Sequence, residues 1–194
     1  MTGFEELVAQ VRACRVCADD LPLGPRPVFQ VSPTARLLVA SQAPGTKVHA
    51  SGLPFSDPSG DRLREWMGID EATFYDSARI AILPMGFCYP GRGQSGDAPP
   101  RPECARLWRP ELLAQMPALR LSLLVGTYAQ EAVLGPGRMT DRVRDFRTYL
   151  PDYFPLPHPS WRSRIWAANN PWFEDEVLPE LRRLVRRALE GASR

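Results

Sequence analysis

Apolar residues along this chain follow two rhythms. Four short blocks are almost continuously apolar: RLLVAS from Arg36, RIAIL from Arg79, LSLLVG from Leu121 and YFPL from Tyr153. Runs of that length without alternation predict strands covered on both faces. Other segments repeat at helical spacing. Residues 3 to 12 do so through Phe4, Leu7, Val8 and Val11, and further helices are predicted after Ser59-Gly60 (DRLREWMG), across PECARLWRPELLAQM, and over TYAQEAVLG from Thr127. Strands alternating with helices predict an α/β fold, three-layer α/β/α, with a central, mostly parallel four-stranded sheet. At 194 residues the chain suffices for one sizeable core, so a single domain over residues 1–194 is expected.

In such a sheet the binding crevice lies at the C-terminal ends of the strands. The loops there hold the chain's unusual residues: Gln42-Ala43-Pro44-Gly45 after the first strand, Pro84-Met85-Gly86-Phe87-Cys88 after the second, and His158-Pro159-Ser160 after the fourth. Many of the 21 prolines fall in these connections. The stretch PGRGQSGDAPPRPE between Cys88 and Cys104 is too rich in proline and glycine for regular structure and is expected to be a loop. A C-terminal helix from Trp172 carries Glu174, Asp175 and Glu176 near its start and Arg182, Arg183, Arg186 and Arg187 near its end. That order matches the helix dipole, which is preferred over a DNA-contacting arginine face. Pro179 marks either a kink or the true start of this helix.

Charge and compartment alter the picture only at the cysteines. The formal net charge of +2 is too mild to announce a nucleic-acid partner. No apolar run reaches membrane-spanning length, and Glu5 and Glu6 stand where a secretory signal would carry positive charge, so a cytoplasmic protein without a membrane partner is expected. A reducing compartment turns Cys14, Cys17, Cys88 and Cys104 from disulfide candidates into a candidate metal-ligand set. Cys14-x2-Cys17 can reach one metal from a single turn, and four thiolates suit either zinc or an iron–sulfur cluster. The alternative is four unconnected buried thiols acting as small hydrophobes.

Both histidines, His49 and His158, fall after predicted strands. The prolines flanking His158 set its backbone, and its imidazole can donate a hydrogen bond to developing negative charge. Phe55, in Gly52-Leu53-Pro54-Phe55, is either a core aromatic or a stacking platform for a planar base. Asp57 lies nearby and reads as the N-cap of the helix that follows Ser59.

These blocks, in this order, resemble the uracil-DNA glycosylase superfamily, and within it the iron–sulfur branches often called families 4 and 5. Ser41 to Gly45 followed by Gly52 to Phe55 and Ser59-Gly60 resembles the first motif, G-[EQ]-x-P-G with G-x-P-F. Gly126-Thr127-Tyr128-Ala129 resembles an internal block, and His158-Pro159-Ser160 resembles the second motif, H-P-[SA]. The four cysteines resemble the cluster ligands of those branches. The resemblance implies a [4Fe-4S] cluster at Cys14, Cys17, Cys88 and Cys104, with zinc as the alternative. It implies that His158 stabilises the departing base anion, that Gln42 lies beside the base or the attacking water, and that Phe55 stacks on the base. Ala43, Pro44 and Gly45 would line the same pocket, Ser160 would meet the phosphate backbone, and Trp161 or Arg162 would lie where the duplex is wedged open.

Two positions depart from the pattern. Pro84 stands four residues before the third cysteine, where many relatives carry a base-reading asparagine, and Ala43 replaces the water-positioning aspartate of the best-known branch. Asp57 is the nearest candidate for that task. The expected function is excision of uracil or another deaminated base from DNA in base excision repair, by a monomer acting on damaged DNA. The alternative is a non-catalytic or covalently trapping DNA-damage binder, and a third reading is a small redox protein.

Overall fold

The computed structural model describes residues 2–94 and 96–190. Met1, Ser95 and residues 191–194, which the sequence reading included in its domain and in the Cys88–Cys104 loop, lie outside the described residues. The strands are β1 (Leu37–Ala40), β2 (Ile80–Ile82), β3 (Arg92–Gly93), β4 (Gly96–Asp97), β5 (Leu121–Val125) and β6 (Tyr153–Leu156). The helices are α1 (Gly3–Arg12), α2 (Thr46–Ser51), α3 (Pro58–Met67), α4 (Glu71–Tyr75), α5 (Pro102–Leu107), α6 (Arg109–Ala114), α7 (Thr127–Leu134), α8 (Met139–Arg144), α9 (Arg162–Ala168) and α10 (Leu178–Leu189).

The four predicted strands form one parallel sheet in the order β2-β1-β5-β6. Val39 lies between Ile82 and Leu123, and Leu124 pairs with Pro155. Side chains alternate across the sheet. Leu37, Val39, Ile80, Ile82, Leu121, Leu123 and Phe154 face a core closed by Leu63 and Trp66 of α3, Phe74 of α4, and Leu181 and Val185 of α10. Leu38, Ala81 and Leu83 face a second core closed by Leu7 and Val11 of α1 and Leu112 of α6. The result is three layers. The outer edge of β2 is capped by Gln30, whose backbone exchanges hydrogen bonds with Ile82 at 2.9 and 2.7 Å and so satisfies an open strand edge.

Three expectations are refined. The stretch from Cys88 to Cys104 is not wholly irregular: Arg92 pairs with Asp97 in a short antiparallel ribbon, β3–β4, in which Gly96 adopts a positive φ (141°) open to glycine. The segment expected as one helix from Pro102 breaks into α5 and α6 at Trp108, because Pro110 has no N–H to continue the ladder. At the C-terminus a π-turn over Phe173–Val177 leads into α10, with Pro179 in its first turn, so Pro179 marks the start and not a kink. Glu180 opens α10, and Arg186 and Arg187 close it in the dipole-matched order.

Candidate functional site

The strand order reverses direction between β1 and β5, and a cleft of about 490 Å³ opens beyond their C-terminal ends. All eleven residues that the sequence named for catalysis or base binding line it: Gln42, Ala43, Pro44 and Gly45 after β1; Phe55 and Asp57 before α3; Pro84 after β2; and His158, Ser160, Trp161 and Arg162 after β6. They are distant in sequence and meet only because four parallel strands end on one edge.

Each group is held by a local device. Phe55 is buried at positive φ (55°), its ring edge-on to Phe74 with centroids 6.0 Å apart. This tight bend fits because Gly60 has no side chain; a Cβ there would stand 1.8 Å from the Phe55 carbonyl oxygen. Asp57 is indeed the N-cap of α3, accepting from the Gly60 N–H at 3.1 Å, and it also faces the cleft. Gly126, at φ 84, lets the end of β5 press against His158, whose Cβ would lie 3.3 Å from a Cβ at that glycine. Arg62 of α3 donates to the Ser160 carbonyl and, at 3.4 Å, to the Ser163 hydroxyl, tying the His158-Pro159-Ser160 turn to the cap of α3. Gln42 donates its amide to the Ala98 carbonyl at 3.3 Å, tying the loop after β1 to the β3–β4 ribbon.

The electrostatics of the cleft follow from its concavity. Loss of solvation holds the His158 imidazole below its ordinary value of 6.5, against the opposing pull of Asp57 and Asp97. His158 is therefore a neutral imidazole near neutral pH, with a ring N–H to donate. Asp97 is open to water yet ringed by protein, and desolvation raises its carboxyl above the ordinary value, with Asp57 adding to the rise and Arg92 and His158 opposing it. At the mouth, Trp161 is 67% exposed with the Arg162 guanidinium 5.4 Å from its ring centroid, and Ile165 of α9 is 61% exposed beside them.

Sequence reasoning missed several participants. Asp97 and Gly96 line the cleft from a stretch whose composition hid its ribbon, and Tyr128 lines it from the first turn of α7. Arg109 is buried and donates to the carbonyls of Leu83 and Pro84, the latter at 3.0 Å; burial pulls its pKa down to about 10. A buried arginine within a helical stretch carries no signal of the two carbonyls it holds. His49 lies outside the cleft lining, on α2, with its ring edge-on to Tyr89 at 6.4 Å.

On the second-core side of the sheet, Cys14, Cys17, Cys88 and Cys104 line one small cavity walled by Leu21, Pro25, Pro27, Phe87 and Trp108. Cys88 and Cys104 are buried, and desolvation pushes both thiols up to about 11. Donors already point at the sulfurs: the Trp108 indole N–H at Cys14 Sγ (3.3 Å) and the Phe87 N–H at Cys104 Sγ (3.5 Å). Arg101 lines the same cavity and is held by Asp20 and Glu103. Such a donor set, four sulfurs in an apolar pocket with N–H groups aimed at them, suits a thiolate-ligated group. Among the described residues no three His, Cys, Asp or Glu side chains converge as they would around a single ion.

Fold and cleft together define a three-layer α/β/α protein with an open cleft at the C-terminal ends of its parallel strands. The chain belongs to the uracil DNA glycosylase superfamily, whose sequence profile matches residues 28–182. That match spans the whole cleft together with Cys88 and Cys104, and begins after Cys14 and Cys17. Among solved structures, a provisionally named uracil DNA glycosylase from Methanosarcina acetivorans is similar at 16% identity and a TM-score of 0.48, over 81% of this chain and 98% of that one.

Proposed function

We propose that this protein is a monofunctional DNA glycosylase that excises uracil or another deaminated base from DNA in base excision repair. The observation that carries this reading is the convergence of Gln42, Phe55 and neutral His158 on one cleft whose mouth bears an exposed Trp161–Arg162 pair. A base stacked in a duplex is out of reach of any such site, so the nucleotide must be extruded; exposed Trp161 and Ile165 supply apolar surface to fill the gap, and Arg162 supplies charge for the phosphates. Phe55 and the Pro84 wall give the extruded ring a flat apolar seat. Breaking the N-glycosidic bond leaves the electron pair on the base, and the His158 N–H is the donor placed to stabilise that anion. A neutral donor suffices and does not have to be reprotonated between turnovers. With Pro84 in place of an amide, the base edge is read by Gln42 and backbone groups of the strand-end loops, which favours a broader choice of base than asparagine reading would allow.

The four cysteines, which line one small apolar cavity, would hold a [4Fe-4S] cluster, with zinc at the same thiols as the alternative. Bound there, it would pin α1 to α5 and to the loop after β2. The base chemistry itself belongs to the separate strand-end cleft.

Oligonucleotides carrying uracil, hypoxanthine, xanthine or 5-hydroxymethyluracil, single- and double-stranded, test the reading. Release of at least one base is expected, with His158→Ala slowing it about 10²- to 10³-fold. Absence of release from every substrate by folded protein would overturn the reading, and tight binding without release would favour a non-catalytic or covalently trapping damage binder.

A further inference from the structure

Resting on the glycosylase reading, the geometry points to Asp97 as the residue that holds and deprotonates the attacking water, a task for which the sequence offered Asp57.

The two carboxylates differ in what they are already doing. Asp57 has one oxygen committed to the Gly60 N–H at 3.1 Å, where it caps α3 and supports the bend at Phe55. Withdrawing it toward a water would uncap the helix. Neither oxygen of Asp97 is engaged by a hydrogen bond or ion pair among the described residues, and the residue lines the cleft from its exposed ribbon. An acceptor that is free, inside the pocket and beside the reacting ring is what a general base requires.

Its placement is built, not incidental. The β3–β4 ribbon pairs Arg92 with Asp97 and carries the carboxyl to the loop after β1; a Cβ on Gly45 would lie 3.4 Å from Asp97 Oδ2. The next residue, Ala98, is fastened on both sides, its N–H donating to the Gly91 carbonyl at 2.9 Å and its carbonyl accepting from Gln42. His158 packs instead against Gly126, after β5. A ring seated over the junction between β1 and β5 therefore has His158 toward the β5 side and Asp97 toward the β1 side.

The charged groups facing Asp97 are Arg92 on the paired strand, His158 across the cleft and Asp57 before α3. Desolvation and Asp57 outweigh the two that would lower its pKa, so Asp97 is a better proton acceptor than a free aspartate. The step balances without a further reagent. The C1′–N bond breaks and its electron pair leaves with the base, whose charge His158 N–H meets. The water oxygen forms the new bond to C1′, one water proton passes to the Asp97 carboxylate, and Asp97 returns it to solvent as the base takes up a proton.

The test is single-turnover kinetics of wild type, Asp97→Asn and Asp97→Glu on whichever base of the panel is released, across a pH series. The same variants are titrated with duplex carrying the uncleavable 2′-fluoroarabino form of that nucleotide. Asp97→Asn is expected to lose about 10²-fold or more in rate with unchanged affinity. The wild-type rate should fall on the acid side as Asp97 is protonated, that limb should be absent in Asp97→Asn, and Asp97→Glu should recover part of the rate. Undiminished release by Asp97→Asn, equal losses of rate and affinity, or a wild-type profile with no acid limb would overturn the assignment while leaving the glycosylase reading intact. A folded wild type that releases no base would overturn both.

Discussion

His158 shows how one residue's surroundings set its chemistry. Removal from water lowers its pKa, and the nearby Asp57 and Asp97 do not reverse the shift. A histidine whose folded value lies below 6.5 contributes its full stability above that value. Below it the unfolded chain takes up the proton more readily than the folded one, so stability falls with pH until the depressed folded value is passed. Urea denaturation from neutral to mildly acidic pH should therefore show a loss for wild type that is smaller in His158→Gln; identical slopes would contradict a neutral buried imidazole. The residue type was legible in the sequence, flanked by two prolines after an apolar block. Its neutrality was not, because that depends on the walls around it.

The elements matter through their ends. α3 carries three separate tasks in its N-terminal half: Asp57 caps it, Gly60 leaves room for Phe55, and Arg62 reaches the turn after His158. Arg62→Ala removes a charged donor from the part-buried Ser160 carbonyl, a loss of up to about 1.5–3 kcal/mol in local terms. Because Ser163 also donates to the Ser160 carbonyl at 2.6 Å, the turn should survive but hold His158 less firmly. On the proposed glycosylase reading, the expected result is slower base release with only a few degrees' change in thermal midpoint; a full-speed Arg62→Ala variant would show the turn to be held by Ser163 alone. The break between α5 and α6 has a comparable consequence, since it turns the Trp108 indole toward Cys14. Helical periodicity spoke for one continuous segment there, and Pro110 was the signal against it.

At the scale of the molecule, two sites occupy different places on one sheet. The cleft gathers at the ends of β1, β2, β5 and β6, and the four thiols gather between α1, α5 and the loop after β2, joined to the cleft through Cys88-to-Cys104 chain that also carries Asp97. Loading that chain with a cluster should stabilise the ribbon as well as α1. Protein purified without oxygen is expected to show the broad visible absorbance of an iron–sulfide chromophore and to contain iron. Cys17→Ser should lose the colour and lower the urea midpoint, and a colourless zinc-containing wild type would replace the cluster with a single ion.

The strands, most helices and the residues lining the cleft were legible in the sequence because they depend on local facts: runs of apolar residues that need cover on both faces, caps and breakers at element ends, and polar residues placed where strands stop. The family resemblance drew on the same strand-end blocks. Only the tertiary structure decided which acid is free, since Asp57 and Asp97 differ in their hydrogen bonds and not in their chemistry. It also decided that a loop rich in proline and glycine holds a ribbon, and that Arg109 props the wall at Pro84. Pairings and desolvation of this kind arise between segments far apart in the chain, and no local pattern encodes them.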